Sequence, residues 1–182
     1  RFSTVIQISS LETKSFDASG DIKIYDNFLK QPDFDKLEEL FFTDNRFPYF
    51  FKPFKVSEGD GFIQFNHYFY DQQVILSDHF EYVLPILEGL DVRSLMRVKA
   101  NLQPKEDNIR VTKLHLDMDD PLDNQKSGIF YVNTNNGKTI FEDGKEVDSV
   151  KNRMIIFPGS KQHAGTTHTD TALRCVINFN WF

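Results

Sequence analysis

Two histidines and one aspartate are spaced in this sequence so that they could bind a single metal ion. His115 and Asp117 lie two residues apart at the end of a run in which apolar and polar residues alternate. Side chains at i and i+2 of a β-strand point to the same face, so this imidazole and this carboxylate would project together. His163 follows a second apolar run, 154–158, at the point where a strand would meet a loop.

The chemistry of this donor set favours iron. Two imidazoles and one carboxylate with open positions form the facial triad of non-haem Fe(II) sites. A 2-oxoacid could chelate the metal through two open positions, and dioxygen could take the third. The far carboxylate of that acid would need a cation, and Arg174, at the start of the last predicted strand, offers a planar bidentate fork. An ordinary hydrogen-bonded surface pair of His115 and Asp117 is the alternative interpretation.

The composition predicts one globular domain. The chain has 182 residues, of which 40% are hydrophobic and 26% are charged. Its net charge of −6 argues against a nucleic-acid partner, because there is no basic surplus to neutralise phosphates. A single cysteine, Cys175, excludes an internal disulfide and a multi-cysteine metal site. We expect no membrane partner and a cytoplasmic location, since the chain shows neither a transmembrane run nor a signal-peptide stretch.

The pattern of residues predicts helices first and strands later. A helix begins at Gln31-Pro32 and a second follows Ser77, divided at Pro85. The aromatic-rich segment 44–76 favours short strands and loops. Strands are predicted at 4–8, 21–25, 97–102, 110–116, 128–132, 139–141, 153–157 and 173–182. Asn136-Gly137 and Asp143-Gly144 are dipeptides that hairpin turns prefer.

These elements divide the single domain into three parts. Residues 1–20 form an N-terminal extension, in which 15–20 is predicted to be a loop. Residues 21–96 form a support and lid region of helices and aromatic side chains. Residues 97–182 form the β core. The fold class is therefore mainly β with flanking helices, and many short strands with turn signals point to a sandwich or barrel.

From about residue 21 to the end, the sequence resembles the Fe(II)/2-oxoglutarate-dependent dioxygenases, in particular their prolyl 4-hydroxylase-like branch. The order and spacing of several motifs carry the resemblance: Asp26-Asn27-Phe28-Leu29, His115-Leu116-Asp117, Tyr131-Val132-Asn133, Gly137-Lys138-Thr139, Phe157-Pro158, His163, and Arg174 leading into Asn178-Phe179-Asn180-Trp181-Phe182. The resemblance implies a double-stranded β-helix, the cupin-like jelly roll, with helices on one side of its larger sheet.

The resemblance also implies roles for individual residues. His115, Asp117 and His163 match the iron ligands, and Arg174 matches the anchor for the distal carboxylate of 2-oxoglutarate. The residues that match the pocket beside this carboxylate are Tyr131 and Thr139. His168, in a polar stretch closer to Arg174, is the alternative distal ligand and fits the family spacing less well. His67 and His79 have no place in the pattern, and Cys175 should point away from Arg174 into the core.

One stretch departs from the better-known protein prolyl hydroxylases. They have a tyrosine on the strand before the His-x-Asp motif, whereas this chain has Asn101 and Gln103 in the corresponding stretch. These two residues share a strand face, so we expect them to face the substrate together with Asn178.

The predicted function is hydroxylation of an unactivated C–H bond of a prolyl or other residue in a peptide or protein. The resemblance implies Fe(II), 2-oxoglutarate and O2 as cofactor and cosubstrates, release of succinate and CO2, and ascorbate as an aid to activity. Two alternatives are an oxygenase of a small molecule or free amino acid, and a non-catalytic cupin-like module. The latter would not need Arg174 or Tyr131.

Overall fold

The computed structural model describes residues 13–16 and 22–182, and its strands form two sheets. The larger sheet has nine strands in the order β1-β2-β10-β7-β12-β6-β4-β3, with β5 paired to β4. The bounds of its strands are β1 Thr13–Phe16, β2 Lys23–Asp26, β3 Phe50–Lys52, β4 Gln64–Asp71, β5 Val74–Ile75, β6 Leu95–Pro104, β7 Lys126–Tyr131, β10 Arg153–Pro158 and β12 Leu173–Trp181. The smaller sheet has the order β11-β8-β9, with β8 Lys138–Phe141, β9 Glu146–Asp148 and β11 His163–Gly165.

The helices cover one face of the larger sheet. Helix α1, Gln31–Phe42, has a proline in its first turn, and it buries the apolar stripe that the sequence predicts: Phe34, Leu37, Leu40 and Phe41. The second helical segment is divided as expected, into a 3-10 helix at Phe80–Val83 and helix α2 at Leu84–Glu88. Together the helices pack against the β7 and β12 side chains that point to this face, among them Phe130 and Ile177.

The opposite face of the larger sheet packs against the smaller sheet. A second apolar cluster joins Ile129 and Val176 of the larger sheet to Phe141 and Val147 of the smaller one. Because strand side chains alternate between the two faces of a sheet, strands β7 and β12 contribute side chains to both clusters. The polar side chains on this face enclose a cavity between the sheets.

Three predictions of local structure are wrong. Residues 110–116 form no named strand, and only two isolated bridges, Val111 to Thr166 and His115 to His163, align them beside β11. Residues 109, 111 and 114 carry apolar side chains that remain about half exposed, so their alternation does not reflect burial in a core. Asn136-Gly137 joins β7 to β8, which lie in different sheets, and so it does not form a hairpin. Ser15, predicted in a loop, lies in β1.

The other hairpin and strand predictions that fall on the described residues agree with the structure. Asp143-Gly144 connects the antiparallel strands β8 and β9, and Gly144 has the positive φ of 83° that favours glycine. The aromatic segment forms β3, β4 and β5 with loops between them. The predicted strand at 4–8 lies outside the described residues. In the part of the chain that the structure describes, no helix has the length and apolar character needed to cross a bilayer.

Candidate active site

The two histidines meet because their backbones pair. The amide of His115 donates to the carbonyl of His163, and the amide of His163 donates to the carbonyl of His115, both at 3.0 Å. Directly opposed residues of an antiparallel pair project their side chains to the same side. The two rings therefore lie side by side, with centroids 4.8 Å apart.

Asp117 completes a group of three possible metal ligands. Its Oδ1 lies 3.9 Å from Nε2 of His163, and one donor atom from each of the three residues lies within 4.8 Å of the others. The carboxylate is buried, with 5% of its side-chain surface exposed. Among the described residues this is the one group of three or more His, Cys, Asp or Glu side chains with such spacing.

The larger sheet holds the Asp117 carboxylate in place. Asn178 of β12 donates its side-chain amide to Oδ1 at 2.9 Å. Arg97 of β6 donates to the backbone carbonyl of Asp117 at 2.7 Å, and its guanidinium lies 3.6 Å from Oδ1. Asn180 makes a longer contact of 3.5 Å with Oδ2. The Asp117 carboxylate is thus oriented by neighbours outside the group of three possible ligands.

The electrostatic surroundings favour the metal-binding forms of these ligands. Burial alone would raise the pKa of the Asp117 carboxyl, but the charges of His163, Arg97 and Lys99 hold that pKa below its usual value. Burial and the neighbouring His163 ring lower the pKa of His115. An ionised carboxylate and a neutral imidazole are the forms that bind metals.

Arg174 is a buried cation at the other end of the cavity. It lies on β12 with 5% exposure, and its Nε donates to the Ser149 hydroxyl at 3.2 Å. No carboxylate among the described residues forms an ion pair with it, and burial lowers its pKa. Gly137 allows the side chain to pass, since a Cβ there would lie 3.0 Å from Nε of Arg174. A buried guanidinium without an anion is costly, so this position suits an anionic ligand.

Tyr131 and Thr139 lie near Arg174, as their places in the sequence suggest. The Tyr131 hydroxyl donates to Oγ1 of Thr139 at 2.7 Å, and the Arg174 guanidinium lies 5.9 Å from the Tyr131 ring. Thr139 lines the cavity, and Tyr131 is fully buried. A hydroxyl pair beside a guanidinium is a suitable environment for a carboxylate.

The residues that were expected to face the substrate, Asn101, Gln103 and Asn178, all line the same cavity. Gln103 is 3% exposed, and its Nε2 has no hydrogen-bond partner among the described residues; the same is true of Oδ1 of Asn101. Asn101 donates to Asn178 at 3.1 Å. Asn178 therefore connects the cavity wall to Asp117.

Two lysines in the cavity wall were not predicted from the sequence. Lys99 precedes Asn101 and Gln103 on the same face of β6, so strand alternation alone could have indicated it. Lys55 comes from the loop between β3 and β4, and its Nζ donates to Oε1 of Gln103 at 3.1 Å. No local pattern in the sequence marks Lys55.

The other histidines and the cysteine lie outside this group. His168 is buried elsewhere, and His67 hydrogen-bonds to Pro48 and Ser77 in a structural role. Cys175 is fully buried in the apolar cluster on the helix-covered face, opposite Arg174. Burial raises the pKa of its thiol.

Comparison with solved structures gives the fold. An oxidoreductase of the 2OG-Fe(II) oxygenase family from Burkholderia pseudomallei is 14% identical, with a TM-score of 0.66 over 88% of this chain and 84% of that one. A prolyl hydroxylase from Trichoplax adhaerens, solved with a hypoxia inducible factor peptide, is 12% identical, with a TM-score of 0.65 over 89% and 83%. This chain has the 2OG-Fe(II) oxygenase fold.

A protein from nogalamycin biosynthesis also has this fold. The non-heme alpha ketoglutarate dependent carbocyclase SnoK from nogalamycin biosynthesis is 9% identical, with a TM-score of 0.62 over 88% of this chain and 78% of that one. No family model and no curated protein matches the sequence. The predicted fold class, a mainly β double-stranded β-helix with flanking helices, is confirmed, as is the resemblance to 2OG-Fe(II) oxygenases that include prolyl hydroxylases.

Proposed function

We propose that this chain is an Fe(II)- and 2-oxoglutarate-dependent dioxygenase that hydroxylates an unactivated C–H bond of a peptide or protein residue, prolyl or another. The observation that carries the proposal is the pairing of two sites in one cavity. A His-Asp-His group, of which His163 is buried and the other two are partly buried, lies at one position. A buried Arg174 without a carboxylate partner among the described residues lies at another. A metal-binding module without turnover would have no need of the second site.

The residues present fit Fe(II). Two imidazoles and one carboxylate are suitable ligands for this ion, and one donor atom from each lies within 4.8 Å of the others. His115, Asp117 and His163 would hold the metal, and Asn178 and Arg97 would fix the orientation of Asp117. When bound, iron and 2-oxoglutarate supply dioxygen-dependent C–H hydroxylation, with release of succinate and CO2.

The protein's own part is to bind and to exclude water. Arg174 would hold the distal carboxylate of 2-oxoglutarate, with Thr139 and Tyr131 beside it. The two sheets enclose the cavity, and this lowers the local dielectric and strengthens the charge–charge contacts inside it. Asn101 and Gln103 are free to contact a polar group of the substrate.

The proposal is tested by adding 2-oxoglutarate to the Fe(II)-loaded protein without oxygen. We expect a visible metal-to-ligand charge-transfer band in the wild-type protein. In Arg174→Met the affinity for 2-oxoglutarate should fall roughly 10- to 100-fold, because a charge-assisted hydrogen bond is lost. Arg174→Lys, which keeps the charge, is the matched control. No band in the wild-type protein would leave a non-catalytic module as the better explanation.

A small-molecule or free amino acid substrate is the second candidate. It is favoured by the enclosure of the centre, where Lys55 reaches from the β3–β4 loop to Gln103 across the cavity. Succinate release is measured, with ascorbate present, for proline-containing peptides of increasing length and for free amino acids. Stimulation that grows with peptide length supports the first candidate, and stimulation by free amino acids alone supports the second.

A further inference from the structure

The cavity carries more positive charge than the proposed cofactors require. Its lining residues include three cations, Lys55, Lys99 and Arg174, and a single carboxylate, Asp117. The charge of Fe(II) would be cancelled by that of 2-oxoglutarate, and Asp117 offsets one of the cations. Because burial lowers the pKa of Lys55 to about 7, between one and two positive charges remain at neutral pH. They lie in a partly desolvated space, where uncompensated charge is expensive.

The cations lie at opposite ends of the cavity. On the paired strands β6 and β12, Arg174 is opposite Gln103, whereas Lys99 is opposite Asn178. These two positions are four residues apart on each strand, which corresponds to about 13 Å. Lys55 hydrogen-bonds to Gln103 and so belongs to the Arg174 end. Lys99 is the lining cation at the Asp117 end.

The surroundings of Lys99 do not neutralise it. Its Nζ lies 5.7 Å from the Tyr68 ring centroid, a weak cation–π contact. Arg97 and Lys52 are nearby cations, and Asp117 and Asp71 are nearby anions, but no carboxylate among the described residues forms an ion pair with it. Burial lowers its pKa to about 8, and the neighbouring cations act in the same direction.

Two unpartnered polar atoms lie on the same strand face as Lys99. Nε2 of Gln103 and Oδ1 of Asn101 are buried without a hydrogen-bond partner among the described residues. Buried polar groups are normally satisfied, so these atoms indicate a ligand or ordered water between the two ends of the cavity. A polar substrate that extends from these amides toward Lys99 would satisfy them.

We propose that the substrate of this centre carries a carboxylate and that Lys99 binds it. The inference rests on the proposed function and adds the chemical class of the substrate. A free acidic molecule and an acidic side chain of a peptide present the same group, and the experiment separates them.

The experiment uses the Fe(II)–2-oxoglutarate complex without oxygen and two matched probe pairs. The first pair is free L-glutamate and L-glutamine; the second is a blocked peptide with glutamate or glutamine beside proline. Dissociation constants are measured by calorimetry, while the charge-transfer band shows whether 2-oxoglutarate stays bound. We expect the acid of one pair to bind about tenfold or more tightly than its amide. The pair that shows this preference identifies the source of the carboxylate.

Three variants connect the preference to Lys99. Lys99→Met should abolish it while the charge-transfer band persists, and Lys99→Arg should preserve it. Lys105→Met, at an exposed position just beyond β6, should leave it unchanged. Equal affinities within both pairs, no binding of either acid, or a preference that survives in Lys99→Met would overturn the inference. Failure of the proposed function is distinct, because the band would then be absent before any probe is added.

Discussion

The orientation of the Asp117 carboxylate depends on side chains outside the candidate metal-binding group. Asn178 and Arg97 approach it from two adjacent strands, β12 and β6, so the larger sheet sets its orientation. A carboxylate fixed in this way loses little freedom when a metal binds, and each supporting hydrogen bond contributes to metal affinity.

Replacement of Asn178, which makes the shortest of these hydrogen bonds to the Asp117 carboxylate, should weaken metal binding. Asn178→Ala removes the 2.9 Å bond to Asp117, and we expect the affinity for Fe(II) or Co(II) to fall about 10- to 100-fold. Anaerobic metal titration of the purified protein measures this change. Asn45→Ala, an exposed amide, is the control. An unchanged affinity in Asn178→Ala would show that Asp117 is oriented by other groups.

Lys99 should cost the folded protein stability at neutral pH. Folding lowers its pKa from 10.5 to about 8, so the unfolded chain binds more protons between these two values. The penalty is complete below pH 8 and disappears as the pH approaches 10.5. Lys99→Met should therefore raise the free energy of unfolding at pH 7 by on the order of 2 kcal/mol, and this gain should shrink toward pH 10.

Urea denaturation at both pH values measures the difference between variant and wild type. Lys105→Met, at an exposed position, should change the free energy of unfolding by less than about 0.5 kcal/mol. If Lys99→Met were no more stable than the wild-type protein at pH 7, the lysine would already be satisfied without a ligand. A stabilised variant that has lost its ligand preference would also rule out unfolding as the cause of that loss.

The sequence marks the candidate ligands more clearly than the residues around them. His115, Asp117, His163 and Arg174 stand in recognisable motifs, because metal and carboxylate binding restrict residue types strongly. Lys55 cannot be found this way, since it reaches the cavity from a loop about 60 residues before the triad.

At the scale of elements, the β3–β4 loop is ordered by one carboxylate. Asp60 accepts hydrogen bonds from the backbone amides of Lys55, Val56, Ser57 and Phe62, at 2.7 to 3.3 Å. Burial would raise the pKa of Asp60, but these donors hold it below its usual value. The loop thereby presents Lys55 to the cavity in a fixed position.

Loss of this carboxylate should loosen the loop without unfolding the protein. We expect Asp60→Ala to cost about 1–2 kcal/mol, as removal of a helix cap does, and to speed amide exchange at residues 55–57. In the wild-type protein this stabilisation is present above the ordinary titration range of aspartate and is lost as the pH falls through the lowered pKa. Hydrogen exchange at pH 7 measures the effect, with Asp60→Asn as the control that keeps an acceptor. Unchanged exchange in Asp60→Ala would mean that other contacts order the loop.

The segment that carries His115 shows where periodicity misleads. Residues 110–116 alternate like a strand, but their backbone bonds go to Gly165, His163 and Thr167 without a continuous ladder. The apolar side chains of Val111 and Leu114 remain 54% and 46% exposed. Alternation in a sequence predicts a strand only where one set of side chains is buried.

At the scale of the whole molecule, the metal would connect two parts of the chain. One is the segment 110–117, which forms no named strand, and the other is the smaller sheet. His115 and Asp117 lie on that segment, whereas His163 begins β11 of the smaller sheet. A ligand that binds only the folded state stabilises it by an amount that rises with the logarithm of its free concentration. Metal at 100 times its dissociation constant should add about 2.7 kcal/mol.

For a chain of this length, that stabilisation should raise Tm by roughly 5–10 °C. Calorimetry with Fe(II) or Co(II), and again after chelation, measures the shift. In Asp117→Ala the shift should disappear, and in Asn45→Ala it should be retained. An equal shift in Asp117→Ala would place the metal elsewhere.

The overall architecture could be predicted from the sequence, because it follows from the burial patterns of a few elements. The stripe of α1 fixes which side of that helix is buried, and the alternating strands β7 and β12 supply one apolar face to the helices and another to the cavity. The pairing of strands far apart in sequence, such as β2 with β10, has no local signal. The family resemblance, by contrast, predicts this long-range strand pairing.

The rate at which Cys175 reacts with a thiol reagent would measure how often the molecule opens. Cys175 is the only cysteine of the chain, it is completely buried, and its raised pKa suppresses the reactive thiolate. A thiol reagent can therefore modify only molecules in which the helix-covered face of the sheet has separated. The rate of labelling reports how often that happens, without an introduced probe.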